Sequence, residues 1–157
     1  MAIIEKEEWN KLHIAKFNDW TLSVGGNQHV LGWLILFPPS NFENSIVHLP
    51  NIEILEFKKI GLIAEDLLKE CFNAEWFNYC QQGNNEKRVH IHLQPRYSFE
   101  RVFENHTFTD EGFGRTIKFL KDEQLASKKI VFKIVQKLRD TLKTKNIKEF
   151  NVEILNT

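Results

Sequence analysis

Arg88-Val89-His90-Ile91-His92-Leu93-Gln94-Pro95-Arg96-Tyr97 is the stretch on which the reading of this chain turns. Val89, Ile91 and Leu93 alternate with Arg88, His90, His92 and Gln94. A strand has a side-chain period of two, so the run predicts a β-strand with one face buried. The other face carries two imidazoles side by side, flanked by a guanidinium and an amide. Pro95 has no N–H to give a ladder and is expected to end the strand or its regular pairing. Two histidines on one strand face suit either catalysis or metal binding.

Upstream, Gln82-Gly83-Asn84-Asn85 supplies turn residues, and Trp76-Phe77-Asn78-Tyr79-Cys80 reads as a preceding strand. Between Asn51 and Cys71 the period changes. Ile60, Ile63, Ala64, Leu67, Leu68 and Cys71 recur at three- and four-residue spacing, which predicts an amphipathic helix. Trp20 to Val24 alternates as a strand, Gly25-Gly26-Asn27 turns, and Val30 to Phe37 is an apolar run stopped by Pro38-Pro39. Trp20 to Phe37 therefore reads as a hairpin, with Gly32 where a side chain would obstruct something. Glu5 to Phe17 is expected to be a short helix packed on the body. Beyond Tyr97 the chain is looser through Phe103–Gly114. A second helix is expected over Ser127 to Leu142 and a last strand over Phe150 to Ile154.

The chain has 157 residues, enough to bury a core without metal or disulfide staples. Lys+Arg and Asp+Glu balance at 21 each, so no global field draws it onto a nucleic acid polymer or an anionic membrane. Any anionic ligand needs a local site. Cys71 and Cys80 are the only cysteines, and the start Met-Ala-Ile-Ile-Glu-Lys-Glu-Glu has no secretory pattern. Free, mostly buried thiols in a reducing cytoplasm are the expectation. No apolar run approaches the roughly 20 residues that span a bilayer.

The order strand, strand, helix, strand, glycine/asparagine turn, histidine strand resembles the histidine-triad (HIT) family. The likeness covers about Trp20 to Tyr97. Leu31-Gly32-Trp33-Leu34-Ile35-Leu36-Phe37-Pro38 resembles the family's Pro-Gly-His-apolar strand, and Phe77-Asn78-Tyr79-Cys80 its asparagine-bearing strand. Gly83-Asn84 followed by Val89-His90-Ile91-His92-Leu93-Gln94-Pro95-Arg96-Tyr97 resembles the signature His-x-His-x-His. Thr107-Phe108-Thr109-Asp110 and Phe113-Gly114 resemble the tail of bacterial members similar to dinucleoside-polyphosphate hydrolases. The chain departs from the pattern in five places. Arg88 replaces the first signature histidine, Gln94 an apolar residue and Trp33 a histidine, Asn41 lies near the place of a basic-histidine pair, and Gly25 falls at a nucleotide-contacting asparagine, with Asn27 close by.

The resemblance implies one α+β, HIT-like domain over residues 1–157, with a core of about 20–97 and an extension of about 98–157. It has an antiparallel sheet of about five strands, a packed helix and a C-terminal helix and strand. The implied activity is hydrolysis or transfer at the α-phosphate of a nucleotide, dinucleoside polyphosphates being the favoured class. His90 is the implied nucleophile, forming a nucleotidyl-histidine that water resolves. His92 reaches the phosphate or leaving oxygen. Asn84 and Gly83 hold phosphate in the turn, with Arg88 and Gln94 as further substrate contacts. Arg88 would bind phosphate, point to solvent, or hold the His90 ring neutral by its charge. The resemblance implies a homodimer and neither metal nor cofactor.

Two other readings of the same residues stand beside it. A nucleotide-binding module that has lost turnover through the Arg88 and Gln94 changes would bind without releasing product. A metal-binding protein would use His90 and His92, completed by His29, His48 or His106.

Overall fold

The histidine run enters a sheet at Ile91 and forms an interior strand one place in from the edge. The computed structural model describes residues 4–39, 45–82, 87–148 and 150–155. Eight strands and two α-helices follow in chain order. They are β1 (His13–Phe17), β2 (Trp20–Val24), β3 (Leu34–Phe37), α1 (Asn51–Phe72), β4 (Trp76–Cys80), β5 (Ile91–Arg96), β6 (Arg101–Phe103), β7 (His106–Phe108), α2 (Lys128–Lys143) and β8 (Val152–Ile154). Six form one sheet in the order β4-β5-β3-β2-β1-β8, with every pair antiparallel. This is the expected α+β class.

One face of the sheet is the core. Trp20, Leu22, Leu34, Leu36, Ile91 and Leu93 are all buried on it. Helix α1 lies across that face: Phe57 stacks on Trp20 of β2 at 5.8 Å and meets Tyr79 of β4 edge-on at 5.7 Å. The apolar stripe read from the sequence is the buried one, with Ile60, Ala64, Leu67 and Leu68 at 0–1 % exposure. Asn73 closes α1 in the left-handed conformation (φ 55°), its N–H donating back to the Leu68 and Lys69 carbonyls. Helix α2 packs beside α1 and against β1 and β2. No helix among the described residues is long and apolar enough to cross a membrane.

Several expectations need correction. The Glu5–Phe17 segment is not one helix: Lys6–Leu12 is a 3₁₀ turn, and His13–Phe17 is a strand between β2 and β8. One partner, β2, follows across a two-residue turn and the other, β8, is remote in sequence, and this pairing overrides the local charge pattern. The sheet consequently has six strands rather than about five. Pro95 does not end its strand. It pairs with Phe77 inside β5, and the pairing of β3 with β5 runs only as far as Leu93. The missing N–H therefore sits where no β3 partner calls for it. The loose tail holds a hairpin, β6–β7, turned by Glu104 and Asn105 at φ 49° and 63°, the left-handed pair that tight hairpins favour.

The Val30–Phe37 run is a strand only from Leu34. Before it, the buried Gln28 amide takes the place of a ladder. It donates to the carbonyls of Gly25 (2.7 Å) and Trp33 (3.0 Å) and accepts from the N–H groups of Gly32 (2.8 Å) and Trp33 (3.1 Å). Gly32 has φ +80°, and a Cβ there would meet Leu68 Cδ2 at 2.7 Å and Phe72 Cδ2 at 2.9 Å. The obstruction anticipated at Gly32 is helix α1. Gly32→Ala is expected to cost about 2–4 kcal/mol, from overpacking plus a strained φ, measured as a lower urea midpoint with an unchanged m-value.

Candidate active site

The polar face of the sheet forms the floor of a cleft of about 430 Å³. Its floor residues come from four strands in register. His92 of β5 lies opposite Ile35 of β3, Ile35 opposite Ser23 of β2, and Ser23 opposite His13 of β1. His90, Phe37, Trp33 and Arg88 also line the cleft. Ile4, Trp9 and Leu12 close one side, with His29 and Phe119 at another.

His90 is buried, and its Nδ1 lies 2.9 Å from the Arg88 carbonyl oxygen. A carbonyl only accepts, so Nδ1 carries the hydrogen and the neutral ring keeps its lone pair on Nε2. The orienting contact comes from the backbone of residue 88. A histidine-to-arginine change at that position therefore leaves it in place. The Arg88 side chain itself is exposed and stands over Phe37, 4.7 Å from guanidinium carbon to ring centroid. Phe37 in turn lies nearly parallel to the His90 ring at 6.0 Å.

His92 has the opposite tautomer. The buried Trp33 indole N–H donates to His92 Nδ1 at 3.0 Å, so the neutral ring bears its hydrogen on Nε2. Burial, reinforced by the nearby His90, pushes the His92 pKa down to about 4. The ring stays neutral across the physiological range. The two histidine rings stand edge-to-face with centroids 5.0 Å apart. One offers a lone pair and the other an N–H, which is the division of labour that attack on a phosphoryl centre requires. Trp33→Phe removes the donor that favours an unprotonated Nδ1. The fixed His92 tautomer is expected to be lost, read from the imidazole nitrogen NMR shifts, while the His92 pKa stays below its ordinary value because burial and the neighbouring His90 persist.

The cleft gathers some expected residues and leaves others out. His90, His92 and Arg88 line it. Gln94 does not: it is buried on β5 opposite Asn78 of β4, beyond the cleft. Gly83 and Asn84 lie outside the described residues, so the phosphate-holding turn is described no further. Arg96 and Asp110 form a buried ion pair away from the cleft, under a second groove of about 510 Å³ beside β4. His106 packs on Phe108 at 4.5 Å in the β6–β7 hairpin.

Two cleft features escaped the sequence reading. His13 Nδ1 lies 2.6 Å from Ser23 Oγ. The Leu120 N–H donates to His29 Nδ1 at 3.0 Å, holding Phe119 edge-on to the His29 ring at 4.9 Å. Neither pair has a sequence signal, because each joins residues whose proximity depends on the finished fold.

No family model and no curated protein sequence matches the chain. Solved structures do. A hypothetical histidine triad nucleotide-binding protein from Sulfolobus tokodaii aligns with a TM-score of 0.63 over 89% of this chain and 91% of that one, at 14% identity. The fold is that of histidine-triad proteins. A zinc-bound histidine triad family protein from Mycobacterium smegmatis gives 0.58 over 85% and 86%, at 11% identity. A Hit-like protein involved in cell-cycle regulation from Bartonella henselae gives 0.56 over 82% and 84%, at 12%. At such identities the likeness is one of fold. The HIT-like sheet puts its histidine strand under the cleft, and the chemistry must be argued from this chain's own side chains.

Proposed function

We propose that this HIT-like protein binds nucleotides and acts as a hydrolase or transferase at their α-phosphate, through a nucleotidyl-histidine on His90. The observation that carries the reading is the tautomer of His90. Its Nδ1–H is committed to the Arg88 carbonyl, so Nε2 is the free base and nucleophile of the cleft. In the proposed step the Nε2 lone pair forms a bond to the α-phosphorus. The bond from phosphorus to the leaving oxygen breaks, and the electron pair leaves with that oxygen. The imidazole becomes cationic, and the Arg88 carbonyl accepts a stronger hydrogen bond from Nδ1–H as it does so. His92 donates its Nε2–H to a phosphoryl or leaving oxygen. Water then cleaves the phosphorus–nitrogen bond and restores His90. Arg88, at the rim, supplies positive charge to the outer phosphates of a dinucleoside polyphosphate.

The test is nucleoside monophosphate release from diadenosine polyphosphates and adenosine phosphoramidate, with acid-quenched samples digested and weighed for an adenylated peptide containing His90. Product together with that adduct supports the reading. Tight nucleotide binding with no product on the whole panel makes the protein a binding module instead. The metal-binding alternative is tested by the metal content of the purified protein beside His90→Ala and His92→Ala. Among the described residues no third His, Cys, Asp or Glu joins His90 and His92 in a ligand set. The homodimer is part of the proposal too. It would use the outer edge of β4 and the exposed α1 side chains Ile52, Leu55 and Leu62.

A further inference from the structure

Strand β1 contains one residue more than its partner requires. His13 pairs with Ser23 and Ala15 with Leu22, so two steps along β1 match one step along β2. Such a bulge changes which side chains face which way. Counted back from Phe17, which lies opposite the buried Trp20, an unbroken alternation would turn His13 toward the core and Ile14 toward the cleft. The bulge reverses this: Ile14 is fully buried, and His13 stands in the cleft beside Ser23. The irregularity has one evident product, a hydrogen-bonded imidazole and hydroxyl in the cleft wall.

That pair has a defined place relative to the chemistry. It continues the row His92, Ile35, Ser23, His13, which crosses four strands in register. Neighbouring strands are about 4.8 Å apart, so Ser23 lies roughly 10 Å and His13 roughly 14 Å from His92 along the floor. This span is comparable to one nucleoside. Ile35 lies between as an apolar floor, and Ile4, Trp9, Leu12 and Val24 make the surrounding wall apolar as well. Trp9 is 46 % exposed, an open aromatic face at the margin of the same cleft. Asn27, His29 and Gln82 also line the cleft, but Ser23 and His13 are hydrogen-bonded to each other in its largely apolar floor, the form of a site that selects a planar heterocycle by its edge.

We propose that Ser23 and His13 together read the edge of the nucleotide's base, with Ile35 beneath the nucleoside and the α-phosphate on His90 and His92. This rests on the nucleotide reading above and deepens it. Whichever of the two groups donates in the 2.6 Å contact, the pair still presents one donor and one acceptor. With the hydroxyl hydrogen on His13 Nδ1, the ring offers Nε2–H and Ser23 offers a lone pair. In the reverse arrangement Nε2 accepts and the hydroxyl donates. The pair is thus complementary to an edge carrying an amide or amidine-like donor and acceptor side by side. Burial, and then the charges of Arg139, Arg88 and Lys16, hold the His13 ring below its ordinary pKa, which keeps it in the neutral form that both arrangements require.

The test compares affinities for AMP, GMP, CMP, UMP and ribose 5-phosphate in the wild type, Ser23→Ala and His13→Phe, with folding checked by thermal denaturation. The wild type is expected to bind at least one of the four nucleotides better than ribose 5-phosphate and to discriminate among them. Ser23→Ala removes one hydrogen bond with little change of volume, and His13→Phe keeps an aromatic ring without its nitrogens. Each should lower the preference for the best nucleotide about tenfold while leaving ribose 5-phosphate affinity unchanged. Discrimination preserved within about twofold in both folded variants would overturn the assignment of the pair and leave the nucleotide reading standing. A parallel loss of ribose 5-phosphate binding would also overturn it, as collapse of the site. A wild type that binds no nucleotide better than ribose 5-phosphate would remove the nucleotide reading and this proposal together.

Discussion

His90→Ala should reduce nucleoside monophosphate release by at least about 10⁴-fold, the scale on which loss of a covalent nucleophile is felt. Nucleotide affinity should change by less than about threefold. The asymmetry follows from the cleft. His90 contributes a small part of its lining, whereas Trp33, Ile35, Phe37 and His92 all remain. What disappears is, among the described residues, the only cleft imidazole whose Nδ1 is tied to a backbone carbonyl. His92 cannot take over. Its Nδ1 accepts from the Trp33 indole, so its remaining nitrogen bears a hydrogen and has no lone pair to give. A fall of tenfold or less, with the variant folded and nucleotide-saturated, would show that water attacks directly. The covalent route would then be wrong.

That contrast between His90 and His92 was only half legible in the sequence. Period-two alternation put both rings on one face, and the structure agrees. The tautomers depended on two contacts that no spacing shows, the carbonyl of residue 88 and the indole of Trp33, which is 59 positions away from His92. The consequence for Arg88 was hidden in the same way. As a side chain it is a departure from the signature, yet the orienting group is its backbone. Ser23 and His13 were invisible for another reason. A one-residue bulge reverses the facing of everything before it, and nothing in Lys11–Lys16 marks where the extra residue falls.

The fold was easier to read where one element carries its own signal. Helix α1 and helix α2 fall almost where periodicity puts them, because each buries one continuous stripe, and strand β4 falls where its short aromatic run was read. Strand β1 failed because its identity comes from β2 and β8, the latter more than 130 residues away. The Gln28 loop failed because a buried amide did the work of a ladder, and a run of apolar residues cannot reveal that Gly32 is turned to φ +80°. Pro95 misled in the opposite direction. The rule that proline breaks pairing holds only where a partner needs the N–H.

Arg96 and Asp110 carry the largest expected effect on stability. Arg96 is 4 % exposed and uses all five of its N–H donors. Nε donates to Asp110 Oδ2 at 2.7 Å, and Nη2 donates to Asp110 Oδ1 at 3.0 Å and to the Gly112 carbonyl. Nη1 donates to Asn78 Oδ1 at 2.6 Å and to the Arg115 carbonyl at 2.8 Å. Asp110 also accepts from the Tyr97 N–H at 3.3 Å. Asp110→Ala would leave a guanidinium buried without its counter-charge, at a cost of about 3–5 kcal/mol, which is roughly 10 °C in Tm for a chain of this size. Replacing both partners with apolar residues, Arg96→Met with Asp110→Leu, should recover much of that loss, since the penalty comes from the stranded charge. The double variant would still lack the bonds to Gly112 and Arg115 that fasten the segment leading to Phe119. It should therefore be stable yet show faster amide exchange over residues 111–120, read by hydrogen–deuterium exchange. A single variant that loses under about 1 kcal/mol would mean that water reaches Arg96 and that this segment is fastened by other contacts.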